Sequence, residues 1–322
     1  RYAILDGHGL LNAEPRPRYG LYAPICTKTG VAFFGRDSES TLPVWSAKDG
    51  YPGNPNYREF HRDLGWDLSI DNLRKIGINE KRPLGIKLFK VSAQNTPLES
   101  KEEYDPKVAK ECARKDAENY LKERKKQLLK LEKTMQIDPL LIAPFDAELF
   151  GHWWFEGPQF LSNIFIKSKD EGIKLITLKE ALQVTSKIQL CNPSPSSWGQ
   201  GGFHNYWLDK SNAWIVHEWS KAGSEMISIC SEGLIKESNI KIICQAGREL
   251  LLSQSSDWSF ILKAGTTTEL ARERINLHLK RFWILINAIK ENNILSQKIL
   301  KEIEREDCIF PLISPLDWKR KT

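Results

Sequence analysis

Through about residue 190 the apolar residues come in short runs closed by Gly, Pro or Asp, whereas beyond residue 202 they recur at helical spacing. That change of period points to an α/β part followed by an all-α part. In the first part Tyr2-Ala3-Ile4-Leu5 reads as a buried strand ending at Asp6-Gly7-His8-Gly9, and Val31-Ala32-Phe33-Phe34 as a second ending at Gly35-Arg36-Asp37. Polar groups follow both runs directly, and barrels and open α/β enzymes place their chemistry at such strand ends. Leu140–Phe145 and Ile173–Ile176 read as further strands. Gly50–Tyr57, with aromatics among Gly and Pro, reads as a packed loop. Asp105 followed by Pro106 is a helix start, and the helix is expected to run to about Lys133. Pro158 opens another to about Lys169, and Thr177 with Glu180 spells a capping box. Cys191–Gly202 reads as a boundary loop. Helices are then expected over about 211–231, 246–255, 267–291 and 295–306, with Ser211 and Thr267 as caps. The expected domains are 1–190, with the 105–133 helix inserted, and 191–322.

Composition narrows the function classes. Of 322 residues, 47 are Lys or Arg and 41 are Asp or Glu, a net charge of +6 with no dense basic stripe, so nucleic acid is not an expected partner. No apolar run approaches the ~20 residues that cross a bilayer, so no membrane partner is expected either. The six cysteines stand far apart without metal-ligand spacing, which fits thiols in a reducing cytoplasm and no zinc site. Neither a Gly-rich phosphate loop nor a Ser-His-Asp arrangement is present, and no metal or organic cofactor is implied. The sequence opens on Arg1 with no basic-then-apolar leader layout, as expected of a processed chain or a fragment.

The densest constellation is Pro144-Phe145-Asp146-Ala147-Glu148-Leu149-Phe150-Gly151-His152-Trp153-Trp154-Phe155-Glu156-Gly157-Pro158. Three carboxylates, a histidine and four aromatics follow an expected strand. A carboxyl beside aromatic walls loses hydration in its charged form and holds a proton nearer neutral pH, as a glycosidic general acid must. Asp146 comes first after the strand, with Glu148 and His152 able to support it. A strand-end turn with a Trp-rich core plug is the competing account.

This stretch resembles the fourth conserved region of glycoside hydrolase family 57, in the form carried by its 1,4-α-glucan branching enzymes. The resemblance continues through Phe34–Ser40 with Val44–Ala47, Gly50–Gly53 with Tyr57–Phe60, Ser197-Trp198-Gly199 to Trp207-Leu208, and Ser255–Trp258. It implies the C-terminal part of an incomplete (β/α)7-type barrel followed by an α-helical domain lining the cleft. It implies a retaining transglycosylase that cuts α-1,4 links and forms α-1,6 links in a glycogen-like glucan, with Asp146 as proton donor. The family's nucleophile is a Glu in a Trp-Leu-x-Glu-Cys type segment, which this sequence lacks. Possible partners are therefore an α-1,4-glucan and the missing N-terminal part. An α-amylase, a 4-α-glucanotransferase or a non-catalytic glucan-binding fragment are the alternatives.

Further residues carry over by motif. Arg36 matches a substrate-contacting Arg, an ion pair with Asp37 or Glu39 being the bland account. Gly53 matches a loop Gly approached by substrate, or simply serves its turn. Trp198 matches a Trp lining the glucan groove, where an indole face stacks on a glucose ring. Trp45 and Trp207 are candidates of the same kind, with core packing competing. Asp257, placed at an expected helix end, could accept from sugar hydroxyls or act as a cap. His8 could border the cleft, and His61, His204, His217 and His278 are expected to be structural or exposed. Asp116 stands where many members carry His, which reads as a tolerated change on the helix surface.

Overall fold

Four short strands make one mixed sheet. β1 (Tyr2–Leu5) runs parallel to β3 (Ala32–Gly35), with Tyr2 opposite Ala32 and Leu5 opposite Gly35. β2 (Ile25–Cys26) pairs antiparallel with β3 and parallel with β4 (Gln189–Leu190). The structure is a computed structural model that describes residues 1–93, 95–186, 188–231, 234–291 and 297–319. The chain divides into two compact units, Arg1–Ser197 and Trp198–Thr322. Among the described residues no helix is long and apolar enough to cross a membrane.

Among the described residues, aspartates start four α-helices of the first unit. α1 (Gly7–Leu11) begins on Asp6, whose Oδ1 accepts the Gly7 N–H at 2.7 Å. α2 (Ser38–Trp45) begins on Asp37, which accepts the Ser40 N–H at 3.0 Å. α3 (Leu64–Asp67) begins on Asp63, and α4 (Ile70–Lys75) on Ser69. α5 (Pro106–Met135) has the expected start, Asp105 taking the Lys107 and Val108 N–H groups. A side-chain oxygen at this position satisfies N–H groups that have no partner inside the helix. α5 presents Ala109, Ala113, Ala117, Tyr120 and Leu121 on one face, against Phe160 and Ile164 of α6 (Gly157–Lys167). Small residues at i, i+4, i+8 leave room for the larger side chains of α6 to seat. α7 (Leu178–Val184) carries the Thr177–Glu180 capping box in both directions.

Two expected strands are absent. Leu140–Phe145 lies in no ladder, held by Leu140 N–H to the Tyr22 carbonyl (2.9 Å) and Asp37 N–H to the Ile142 carbonyl (2.9 Å). Ile173–Ile176 likewise joins no sheet. An apolar run becomes a strand only where a neighbour offers a row of partners.

The second unit is helical: α8 (Ala213–Ser231), α9 (Ile240–Ser253), α10 (Ser256–Ala264), α11 (Thr268–Lys290) and α12 (Gln297–Glu306). Where one helix is expected over 246–255, two meet at Gln254 and Ser255. The expected start of the last helix, residue 295, lies outside the described residues. Ser211 donates to Asp209 rather than capping α8, and Thr267 precedes α11 without a side-chain cap bond. α9 and α11 pack along their length around Ile243, Ala246, Leu250, Ile275, Phe282 and Ile286, all buried.

Candidate functional site

Asp146 precedes a 3-10 turn, Ala147–Leu149, and its carboxylate makes no capping bond. Asp146, Ala147 and Glu148 are exposed while Leu149 points into the core. Desolvation of Asp146 by aromatic walls, expected from the sequence, is therefore not what this unit provides. The turn sends the 146–148 side chains to water and uses the aromatics elsewhere.

The fate of those aromatics follows from the backbone. The N–H groups of His152 and Trp153 both reach the Glu148 carbonyl (3.3 Å each), and Trp154 N–H reaches the Leu149 carbonyl (2.9 Å). Gly151 closes this loop at φ +106°, a conformation that favours glycine. Trp154 is thereby driven inward, 2% exposed, against Tyr57 and Phe160 at centroid distances of 5.6 and 4.8 Å. Trp153 turns outward, 53% exposed, and stacks on Phe60 at 5.2 Å with 26° between planes.

The carboxylate of this stretch that does lose its water is Glu156. Its Oε1 accepts the Tyr104 hydroxyl (2.7 Å) and the Arg58 N–H (3.1 Å), while Oε2 is buried with no partner. Burial pushes its carboxyl pKa up, and the two donors only partly oppose the shift. The Arg58 guanidinium lies 3.5 Å over the Phe155 ring.

Beside these residues a hollow of about 430 Å³ opens, lined by Phe60, Trp66, Lys87, His152, Trp153 and Phe155 among others. Asp63 fixes its other wall. Oδ1 accepts the Gly65 and Leu84 N–H groups (2.9 and 2.8 Å), and Oδ2 accepts Gly85 N–H (2.9 Å) and pairs with Lys87 Nζ (3.2 Å). Burial works to raise the Asp63 pKa, but these donors outweigh it and hold the carboxyl below its usual range. Sequence reading assigned no role to Glu156, Arg58, Phe60, Asp63 or Trp66. Residues 58 and 156 meet only through tertiary folding, and no local spacing announces it.

The remaining sequence candidates are placed as follows. Arg36 pairs with Asp6, Nη2 and Nε reaching Oδ1 at 2.9 and 3.1 Å, and not with Asp37 or Glu39. Asp37 is buried, already committed to α2 and to the Gln127 amide, and Glu39 faces Arg124. His8 Nδ1 lies 3.8 Å from Asp6. Gly53 closes a 3-10 turn where a Cβ would sit 2.2 Å from the Ala47 carbonyl oxygen, so its need for glycine is set by backbone approach. Trp45 ends α2, 37% exposed. Asp116 is half-buried and bonded to Tyr57 and Asn54, which corrects its reading as a helix-surface change.

In the second unit Trp198 is 49% exposed and Trp207 half-buried, its ring 6.2 Å from Phe260. Asp257 lies in the first turn of α10, at the start of a helix rather than after the last turn of one, and accepts the Ser255 hydroxyl at 3.0 Å. Glu249, His278 and Asp307 bring ligand-type atoms within 4.8 Å of one another. Arg281 is 2.5 Å from Asp307, and its guanidinium already supplies positive charge there.

Residues 218–318 match the 1,4-alpha-glucan branching enzyme C-terminal domain family. A 1,4-alpha-glucan branching enzyme of Thermococcus kodakarensis is 31% identical over 290 residues, 88% of this chain and 40% of that protein. Two crystal structures superpose on all of this chain: an alpha-amylase from Thermotoga maritima (TM-score 0.82, 34% identity, 61% of that chain) and a GH57-type branching enzyme from Pyrococcus horikoshii (0.81, 29%, 57%). The chain thus resembles proteins of glycoside hydrolase family 57, a branching enzyme among them. Its mixed α/β first unit, small sheet and helical second unit are the frame it has in common with these structures. The chain spans less than two thirds of the length of each of these relatives.

Proposed function

We propose that the protein acts as a 1,4-α-glucan branching enzyme on a glycogen-like glucan in a reducing cytoplasm. The observation that carries this reading is the match of 218–318 to the branching-enzyme C-terminal domain. In this reading the first unit is the later part of a (β/α)7-type barrel. Asp146 protonates the leaving glycosidic oxygen while a Glu on a stretch beyond these 322 residues attacks the anomeric carbon. The glycosyl–enzyme ester forms as the C–O bond breaks. Asp146, now a carboxylate, takes the proton of an acceptor 6-hydroxyl, whose oxygen displaces the Glu and restores the original anomeric configuration. A retaining pair of this kind stands ~5–5.5 Å apart. Arg36, Gly53 and Trp45 on the first unit, and Trp198, Trp207 and Asp257 on the second, are proposed to contact glucan. Indoles suit the work because their faces match the C–H faces of glucose and help exclude water, which would divert transfer into hydrolysis.

The likeness to an alpha-amylase supports a second reading, hydrolysis of α-1,4 links by the same acid. Incubating the full-length protein with amylose and debranching the product separates the two. New α-1,6 links support branching, and a rise in reducing ends without them supports the amylase. Asp146→Asn is expected to abolish either reaction while glucan binding persists. Retained activity in that variant overturns the assignment of Asp146.

A further inference from the structure

We propose that the hollow between Phe60, Trp66, Trp153 and Lys87 is a binding site for a neutral pyranose, a glucosyl residue of the glucan chain. The inference rests on the glucan reading above and assigns a place for the polymer to hold.

Three observations carry it. The first is preorganised aromatic surface. Phe60 covers one face of the Trp153 indole, and His152 packs edge-on to both rings at 5.8 and 5.2 Å, yet Trp153 stays 53% and Trp66 48% exposed. Large apolar rings left in water and fixed in place give up little freedom when a flat ligand covers them. Phe155 is held in the same way beneath the Arg58 guanidinium.

The second is charge. Lys87 is paired with Asp63, and the Arg58 guanidinium stacks on the Phe155 ring. A phosphate or a carboxylate would have to compete with Asp63 for Lys87, and a metal ion would meet two cations. A ligand with hydroxyls and apolar ring faces fits without disturbing the pair or the stack.

The third is position and size. About 430 Å³ falls within the ~300–1,000 Å³ typical of small-ligand clefts. The rim residues His152 and Trp153 hang from the Glu148 carbonyl, so the hollow is tied by backbone to the turn that carries Asp146. Glu156 is a positioning residue here: it holds Tyr104 and the Arg58 backbone, and through Arg58 the Phe155 ring.

The test uses the full-length protein. Binding of maltoheptaose is measured by titration calorimetry for wild type, Trp153→Ala, Trp153→Phe, Trp66→Ala and Asp146→Asn, with thermal unfolding to confirm folding. Each Ala variant is expected to bind about two- to tenfold more weakly, Trp153→Phe to recover most of the loss, and Asp146→Asn to bind as wild type. Adenosine and inorganic phosphate serve as competitors and are expected not to displace the sugar. Wild-type affinity in both folded Ala variants overturns the proposal even if the protein branches amylose. Displacement by adenosine reassigns the hollow to a nucleobase and overturns it equally. Sugar binding lost with Trp153 in a protein that forms no branches keeps the hollow and removes the branching reading.

Discussion

The Tyr57 hydroxyl donates to Asp116 Oδ2 over 2.6 Å, and the Asn54 amide donates to the same oxygen over 3.0 Å. A single carboxylate oxygen on α5 therefore anchors the Gly50–Tyr57 loop. Burial, then the bond to Asp116, pushes the Tyr57 phenol far above its ordinary pKa, so it remains a donor at every working pH. Because both bonds land on one oxygen, Asp116→Asn, which keeps one, is expected to stay near wild-type stability. Asp116→Ala and Tyr57→Phe are each expected to lose about 2 kcal/mol, the worth of a hydrogen bond to a charged group. Urea unfolding of the three variants decides it. Equal damage from Asn and Ala would mean that charge, and not the shared acceptor, matters.

Gly53→Ala sets a Cβ against the Ala47 carbonyl, backbone that has no rotamer to yield. A loss of about 1–3 kcal/mol is expected from this overpacking. A second-site change at Trp45 should not relieve it, because the clash is with main chain. If Gly53→Ala unfolds at the wild-type midpoint, the loop is looser than this contact demands.

Acid should first weaken the backbone that Glu59 and Asp63 hold. Asp63 and Glu59 both have folded-state pKa values below their ordinary ones. For Glu59 burial pushes upward, but the His61 N–H and the Lys101 ammonium outweigh it. A depressed carboxylate contributes stability that is present above its unfolded pKa, ~4, and is lost as pH falls through the folded value. Glu156 has the opposite sign: its raised pKa means the folded state keeps the proton longer, so acidification favours it slightly. The thermal midpoint should therefore fall as pH drops below about 4, and less steeply in Asp63→Asn, which starts lower. An identical slope in wild type and variant would contradict the assignment to Asp63.

In the helical unit, His278 Nδ1 lies 2.8 Å from Glu249 Oε2, and both side chains are buried between α9 and α11. Gln245 donates to the other Glu249 oxygen at 2.9 Å, and Arg281 holds Asp307 beside the imidazole. Removing one member leaves a buried charge without its partner, at a cost of about 3–5 kcal/mol. His278→Ala should thus destabilise this unit strongly, and Glu249→Gln less so, since an amide still bonds to both neighbours. Circular dichroism melts of the variants provide the measurement, and a mild His278→Ala would show that the network is dispensable.

Local chemistry was readable before any coordinates. The Asp105-Pro106 start of α5 and the Thr177–Glu180 box appear where the sequence puts them, because a cap bonds to backbone within three residues of itself. The helical period of the second unit is equally local. The strand expected over Leu140–Phe145 failed because pairing needs a partner whose position the run does not encode. The same limit governed Asp146. Its neighbours in sequence are aromatic, yet a 3-10 turn and the φ of Gly151 send Trp154 into the core, Trp153 to Phe60 and the Asp146 carboxylate to solvent.

By itself, then, the sequence determined where helices begin, which faces are apolar and which family's motifs the chain carries, since each depends on residues a few positions apart. Tertiary structure alone decided that Glu156 would be the desolvated carboxylate, that Asp6 would take Arg36, and that Phe60, Trp66 and Trp153 would share one hollow. Burial and side-chain pairing are properties of what the rest of the chain brings near, and no run of neighbours can fix them.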